Sequence, residues 1–155
     1  MSGNFSYNAR DISRRLLGDM KEVLFNKDAA KGKETEVAYA VFRNIEIVEG
    51  KARYDVTEIP PGNNGSEYHK TFGHYHVSDL PEIYEVLDGR AYFLIQKPGK
   101  DAAEIEEAYI IEAADGEKAI IPPQFGHLAI NIGKNILKIA NWTGLTEYDY
   151  ETIKN

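Results

Sequence analysis

Glu82-Ile83-Tyr84-Glu85-Val86-Leu87-Asp88-Gly89-Arg90-Ala91-Tyr92-Phe93-Leu94-Ile95 reads as two strands about an Asp88-Gly89 turn. The first run alternates, so Glu82 and Tyr84 share one face of a pleated strand while Ile83, Glu85 and Leu87 share the other. Outward from this pair, short strand-like runs recur at residues 37–42, 45–48, 52–59, 108–111, 119–121, 128–132 and 136–142. The turn signals Glu49-Gly50, Pro60-Pro61-Gly62-Asn63-Asn64-Gly65, Lys97-Pro98-Gly99, Asp115-Gly116 and Gly133 separate them. Many short strands punctuated in this way predict an all-β chain folded as an antiparallel sandwich or barrel. The 10 tyrosines fit that reading, since aromatic rings suit a half-buried pleated surface.

Only the N-terminal part departs from period two. Ile12, Leu16, Leu17, Met20, Val23 and Leu24 recur at spacings of three and four, with Arg14, Arg15, Lys21 and Glu22 between them. This pattern predicts one amphipathic α-helix, followed by a polar loop through residues 26–35. The expected organisation is therefore a single domain over 1–155. Residues of about 11–35 form its helix and loop, and residues of about 36–150 form a barrel with appended strands. A length of 155 residues suits one domain with one core. The 18 basic against 25 acidic residues give a net charge of −7, which argues against nucleic acid or an anionic membrane as partner. The absence of cysteine removes disulfides, thiolate metal sites and thiol nucleophiles. No apolar run approaches a membrane span and no signal-like core opens the chain, so a cytoplasmic protein is expected.

The four histidines are His69, His74, His76 and His127. His74 and His76 stand at i and i+2, the same face of a strand, where two imidazoles can converge on one ion. Glu82 follows five residues after His76, and His127 lies downstream on a strand face with Ala129 and Asn131. Taken singly, each of these is an ordinary polar residue. Together they form an imidazole and carboxylate donor set without thiolate, which suits Fe, Mn, Ni, Co or Zn in an open catalytic site. Thr57 lies on the polar face of the run Arg53-Tyr54-Asp55-Val56-Thr57 and Thr71 precedes the histidine pair. Such a polar face inside a small barrel would line a site rather than a dry core. His69 is read as a surface residue.

These residues resemble the two motifs of the cupin superfamily. The first runs His74-x-His76, five residues, Glu82, six residues, Gly89; the second runs Gly116, five residues, Pro122, then His127 and Asn131, with Gln124 at the position of a motif glycine. Further stretches are similar to the archaeal cupin-type phosphoglucose isomerases: Arg14-Arg15-Leu16-Leu17-Gly18-Asp19-Met20, Thr71-Phe72-Gly73-His74-Tyr75-His76, Glu82-Ile83-Tyr84 and Asn131-Ile132-Gly133. The resemblance implies a cupin-type double-stranded β-helix (jelly-roll) barrel with a short N-terminal α-helix and extra N-terminal strands. It implies one divalent metal ion, Fe2+ first and Mn2+, Ni2+ or Zn2+ as alternatives, held by His74, His76, Glu82 and His127. It also implies sugar-phosphate contacts from Thr57, Thr71, Gly73 and Tyr84. After the last barrel strand the family carries a tyrosine and then a histidine that hold the phosphate; here Trp142 and Tyr148 stand near those positions, with an indole and a phenol in place of a cation.

The implied activity is a glycolytic and gluconeogenic isomerase that interconverts glucose 6-phosphate and fructose 6-phosphate. It would move a proton or a hydride between C1 and C2, with Glu82 as the shuttle and Tyr84 beside it. A small-molecule sugar phosphate and a homodimer partner follow from the same resemblance. The alternatives are a cupin metalloenzyme for another sugar or small metabolite, and a non-catalytic sugar-binding cupin.

Overall fold

The computed structural model describes residues 8–9, 11–101 and 103–154. Its strands in chain order are β1 (Asp11–Leu16), β2 (Val37–Val48), β3 (Ala52–Ile59), β4 (Asn63–Asn64), β5 (Glu67–Tyr68), β6 (Tyr75–His76) and β7 (Glu82–Asp88). They continue with β8 (Arg90–Pro98), β9 (Ile105–Ala114), β10 (Lys118–Ile121), β11 (Gly126–Asn131), β12 (Leu137–Gly144) and β13 (Tyr148–Asp149). One sheet runs β1-β2-β3-β12-β7-β10 and a second runs β11-β8-β9, while β4-β5 and β6-β13 pair separately. Every pairing is antiparallel. The inward faces of the two sheets bury Ile59, Val86, Phe93, Ile121, Leu137 and Ile139 in a common core, a sandwich of the kind the strand pattern predicts and consistent with the jelly-roll that the resemblance implies.

The N-terminal α-helix is corrected. Residues 11–16 form β1 on the free edge of β2, from Asp11 opposite Arg43 to Arg15 opposite Tyr39. A 3-10 helix follows over Leu17–Val23. The exposed edge of β2 offers a row of unpaired backbone groups to any adjacent segment, and their pairing outweighs a modest helical preference interrupted by Gly18. The apolar spacing survives in another form. Leu17, Met20 and Val23 lie three apart, which stacks them in one row of a 3-10 helix, and Leu17 and Met20 reach the core.

The runs at 37–42 and 45–48 are one strand with a bulge between them. Phe42 pairs with Val56 and Glu46 with Tyr54, so Arg43, Asn44 and Ile45 face a single residue, Asp55. Asn44 takes φ 56° there, a left-handed conformation that asparagine tolerates. Gln124 likewise has φ 70°, which accounts for glycine being the residue expected at that point of the second motif.

Two glycines set the distance between parts of the sandwich. Gly73 has φ 85°, and a Cβ on it would lie 3.2 Å from the His127 carbonyl and from Leu128 Cβ. A Cβ on Gly126 would enter the ring of Tyr75. Gly126→Ala should therefore displace Tyr75 and cost about 1–3 kcal/mol, seen as a Tm lower by about 2–10 °C; an unchanged Tm would mean that the ring moves aside freely.

Candidate metal centre

Glu82 and Tyr84 point inward from β7, where alternation buries both and leaves Ile83 exposed between them. Asn141, inward on β12 opposite Tyr84, donates from Nδ2 to Glu82 Oε1 at 2.6 Å. His127 projects from β11 in the other sheet. The segment before β6 is laced to β11 by reciprocal backbone bonds, His74 N–H to the His127 carbonyl at 3.2 Å and His127 N–H to the His74 carbonyl at 3.0 Å. Two sheets and the connection between them thus bring His74, His76, Glu82 and His127 together, with one ligand atom from each within 4.8 Å of all the others.

The electrostatics explain what such a cluster needs. Glu82 is 1% exposed, and an ionised carboxylate so buried requires compensation. Its Oε2 lies 2.8 Å from His127 Nε2, 3.1 Å from His76 Nε2 and 3.9 Å from His74 Nε2. His76 Nδ1 sits 3.0 Å from the Leu80 carbonyl. A carbonyl only accepts, so Nδ1 carries a proton and Nε2 is the nitrogen turned toward Glu82. His74 Nε2, His76 Nε2 and Glu82 Oε2 are buried without a hydrogen-bond partner. Imidazole nitrogens and a carboxylate oxygen converging on one point can hold a cation between them, and two or three imidazoles with one carboxylate are a donor set for a first-row divalent ion. The four residues fit a metal, and the Leu80 carbonyl and Asn141 orient two of them from behind.

The ionisation preferences agree. Burial would raise the Glu82 carboxyl, but the imidazoles of His127 and His76 outweigh it and hold the group well below the ordinary carboxylate range. Burial, helped by His127, holds His74 well below the usual imidazole value. Burial opposes charge on His76, yet Glu82 and the Leu80 carbonyl carry it above that value. Tyr84 is kept well above the usual phenol value by burial and by Glu82, so it remains a donor; its hydroxyl lies 3.3 Å from His127 Nε2. Tyr148 is pushed up to about 12 by burial and by Glu82.

A cavity of about 60 Å³ opens over the cluster, with Thr57, Thr71, Gly73 and Tyr148 in its wall. Thr71 Oγ1 accepts the Ala129 N–H at 3.0 Å, so that hydroxyl also braces β11. Tyr148 lies over His74 with ring centroids 4.0 Å apart. The expectation for Trp142 is corrected. It faces outward on β12 and packs on Tyr54 at 5.1 Å, because strand alternation gives the inward positions to Asn141 and Thr143. His69 is outside the site, with Nδ1 3.1 Å from the Pro60 carbonyl. Sequence reading missed Asn141, Arg43, Asp55, Tyr39 and Tyr150, all in the cavity wall. Alternation along Tyr39, Val41 and Arg43 was the available signal for the strand residues.

Metal binding should be measurable as stability. Addition of Mn2+ or Zn2+ at about 100 times its Kd should stabilise the fold by about 2.7 kcal/mol, read as a rise in Tm. His127→Ala should abolish that rise, and a dose-independent Tm in the unaltered chain would exclude an ion at this cluster.

Comparison with known proteins agrees with the geometry. A family model described as Glucose-6-phosphate isomerase (GPI) matches residues 14–155. The chain is 34% identical over 152 residues to a glucose-6-phosphate isomerase of Thermococcus litoralis, covering 94% of this chain and 76% of that one. It is 32% identical over 147 residues to the enzyme of that name from Pyrococcus furiosus, covering 91% and 75%. Among solved structures, an oxalate oxidase superposes with a TM-score of 0.53 at 19% identity over 68% of this chain and 50% of its own. The Schizosaccharomyces pombe Cnp3 cupin domain does so at 0.50 and 15% identity, over 70% and 65%. These two likenesses concern the fold, whereas the family match concerns nearly the whole sequence: the chain belongs to the glucose-6-phosphate isomerase family, built on a cupin fold.

Proposed function

We propose that the protein is a metal-dependent aldose–ketose isomerase acting on glucose 6-phosphate and fructose 6-phosphate. The observation that carries the reading is the buried Glu82 carboxylate, divided between two tasks. Its Oε2 faces three imidazoles, and its Oε1 is held by Asn141 at 2.6 Å. His74, His76, Glu82 and His127 would hold the ion. A divalent ion there supplies Lewis-acid polarisation of the substrate carbonyl and offsets the negative charge that develops on O1 and O2.

The chain's own groups do the rest. Glu82 Oε1 is the base that takes a proton from one carbon and returns it to its neighbour, and the Asn141 N–H keeps that oxygen aimed while the proton is in transit. Tyr84, held protonated by burial, donates a hydrogen bond toward a sugar oxygen. Thr57, Thr71 and the Gly73 N–H line the wall where the rest of the substrate lies. Glu85 plays no part, since it sits on the other face of β7. A cavity of about 60 Å³ takes an ion and a few waters, while a ligand of this size commonly occupies about 300 Å³ or more. Room for the substrate would come from outward rotation of Tyr148 and Tyr150, which line the cavity from the C-terminal side. A homodimer belongs to the same proposal, with a solution mass of twice 17.5 kDa.

The test is fructose 6-phosphate conversion by chelator-stripped protein before and after addition of Fe2+, Mn2+, Ni2+ or Zn2+. Metal should restore turnover, and Glu82→Gln should lower kcat by about 10²–10⁴-fold or more. In D2O, deuterium at C2 of the product would identify proton transfer through Glu82, whereas retention of the substrate hydrogen would identify a hydride shift and remove the shuttle role. Metal-loaded protein that converts no fructose 6-phosphate would overturn the proposal.

A further inference from the structure

The β2 bulge creates a feature that the metal centre does not explain. Arg43 and Arg53 flank one buried carboxylate, Asp55, which is 1% exposed. Asp55 Oδ2 lies 3.6 Å from Arg43 NH1 and 3.1 Å from Arg53 Nε, and Oδ1 accepts the Asn44 N–H at 2.8 Å. Arg43 Nε donates to Ser13 Oγ at 3.2 Å, and Arg53 donates to the Tyr148 hydroxyl. Asp55 thus holds two guanidinium groups in place, yet it neutralises only one. Among the described residues neither arginine has another carboxylate within ion-pair distance. Two half-withdrawn cations on one anion are costly unless a further negative charge arrives.

We propose that Arg43, with Arg53 fixed beside it by Asp55, is the cation that receives the phosphate of the substrate, a specificity determinant for phosphorylated over neutral sugar. This rests on the proposed function above. Arg43 lines the same cavity as Thr57, Thr71 and Glu82, so a phosphate there lies within reach of the neutral donors and the guanidinium together. Arginine suits this task because its planar fork meets two phosphate oxygens at once. Asp55 answers one of the two arginines, and a phosphate monoester brings negative charge to the other. Tyr148 and Trp142 bring no cation, and β2, two strands from β12 in the same sheet, brings one. When Tyr148 turns outward to admit substrate, Arg53 loses its phenol partner and can add a second donor.

The experiment is calorimetric titration of metal-stripped protein, which turns nothing over, with fructose 6-phosphate and with fructose, for the unaltered chain, Arg43→Gln and Arg43→Lys. The unaltered chain should bind the phosphorylated sugar and show no heat with fructose. Arg43→Gln should weaken fructose 6-phosphate by about 10- to 100-fold, and Arg43→Lys should recover part of the loss by charge alone. In metal-loaded protein the Arg43→Gln defect should appear in KM more than in kcat, a split that a merely structural role for the Asp55 cluster would not produce. Binding within twofold of the unaltered chain in Arg43→Gln would overturn the assignment, as would equal affinity for fructose and its phosphate. Arg43-dependent binding in a protein that converts nothing would sustain it and refute the isomerase, while turnover indifferent to Arg43 would do the reverse.

Discussion

A carboxylate with about one-hundredth of its surface exposed governs the interior of this protein. Glu82 could be buried in the middle of a sandwich only if positive charge or hydrogen-bond donors met both of its oxygens. Asn141 meets one oxygen from the neighbouring strand, and three imidazoles surround the other. Each partner comes from a different part of the chain: β12, the segment leading into β6, β6 itself, and β11 of the opposite sheet. The placement of those elements is therefore not free. A slip of one residue in the β7–β12 register would put Trp142 where Asn141 stands and leave the carboxylate unanswered.

The same constraint accounts for close approaches that core packing alone would not demand. Gly73 and Gly126 lie on either side of the paired His74 and His127 backbones, and at neither is there room for a side chain without moving a neighbour. The segment that carries His74 and His76 is thereby pressed against β11. The C-terminal strand β13 then pairs with β6, Tyr148 opposite His76, and lays a phenol ring over the imidazoles. The cluster thus has backbone below and aromatic rings above, surroundings in which electrostatic interactions are stronger than in bulk water.

Much of this was legible in the chain. The alternation of Glu82 through Leu87 fixed which carboxylate faces inward, and the His74-Tyr75-His76 spacing fixed which histidines share a face. Strand alternation follows from the pleat, so it holds wherever no bulge interrupts the strand. What was not legible depended on partners distant in sequence. Residues 11–16 look helical by spacing, and become a strand because an unpaired edge of β2 lies beside them. Arg43 lies just past the end of the run 37–42, and faces the cavity because β2 continues beyond Phe42 with Tyr39, Val41 and Arg43 on one side. Trp142 was placed by its neighbourhood in the sequence, when the parity of β12 points it outward.

That outward position of Trp142 has a practical consequence. It is the single tryptophan of the chain, it is 36% exposed, and it lies in a cross-strand row with Ile120, Ile83 and Tyr54 on the outside of the larger sheet. Intrinsic fluorescence of this protein therefore reports on the outer surface and on whatever covers it. An ion or sugar arriving in the cavity is separated from the indole by the thickness of the sheet and leaves its emission nearly unchanged. A shift of that emission with protein concentration instead records the sheet's outer face leaving water, which makes the one tryptophan a built-in optical label for self-association and a poor one for catalysis.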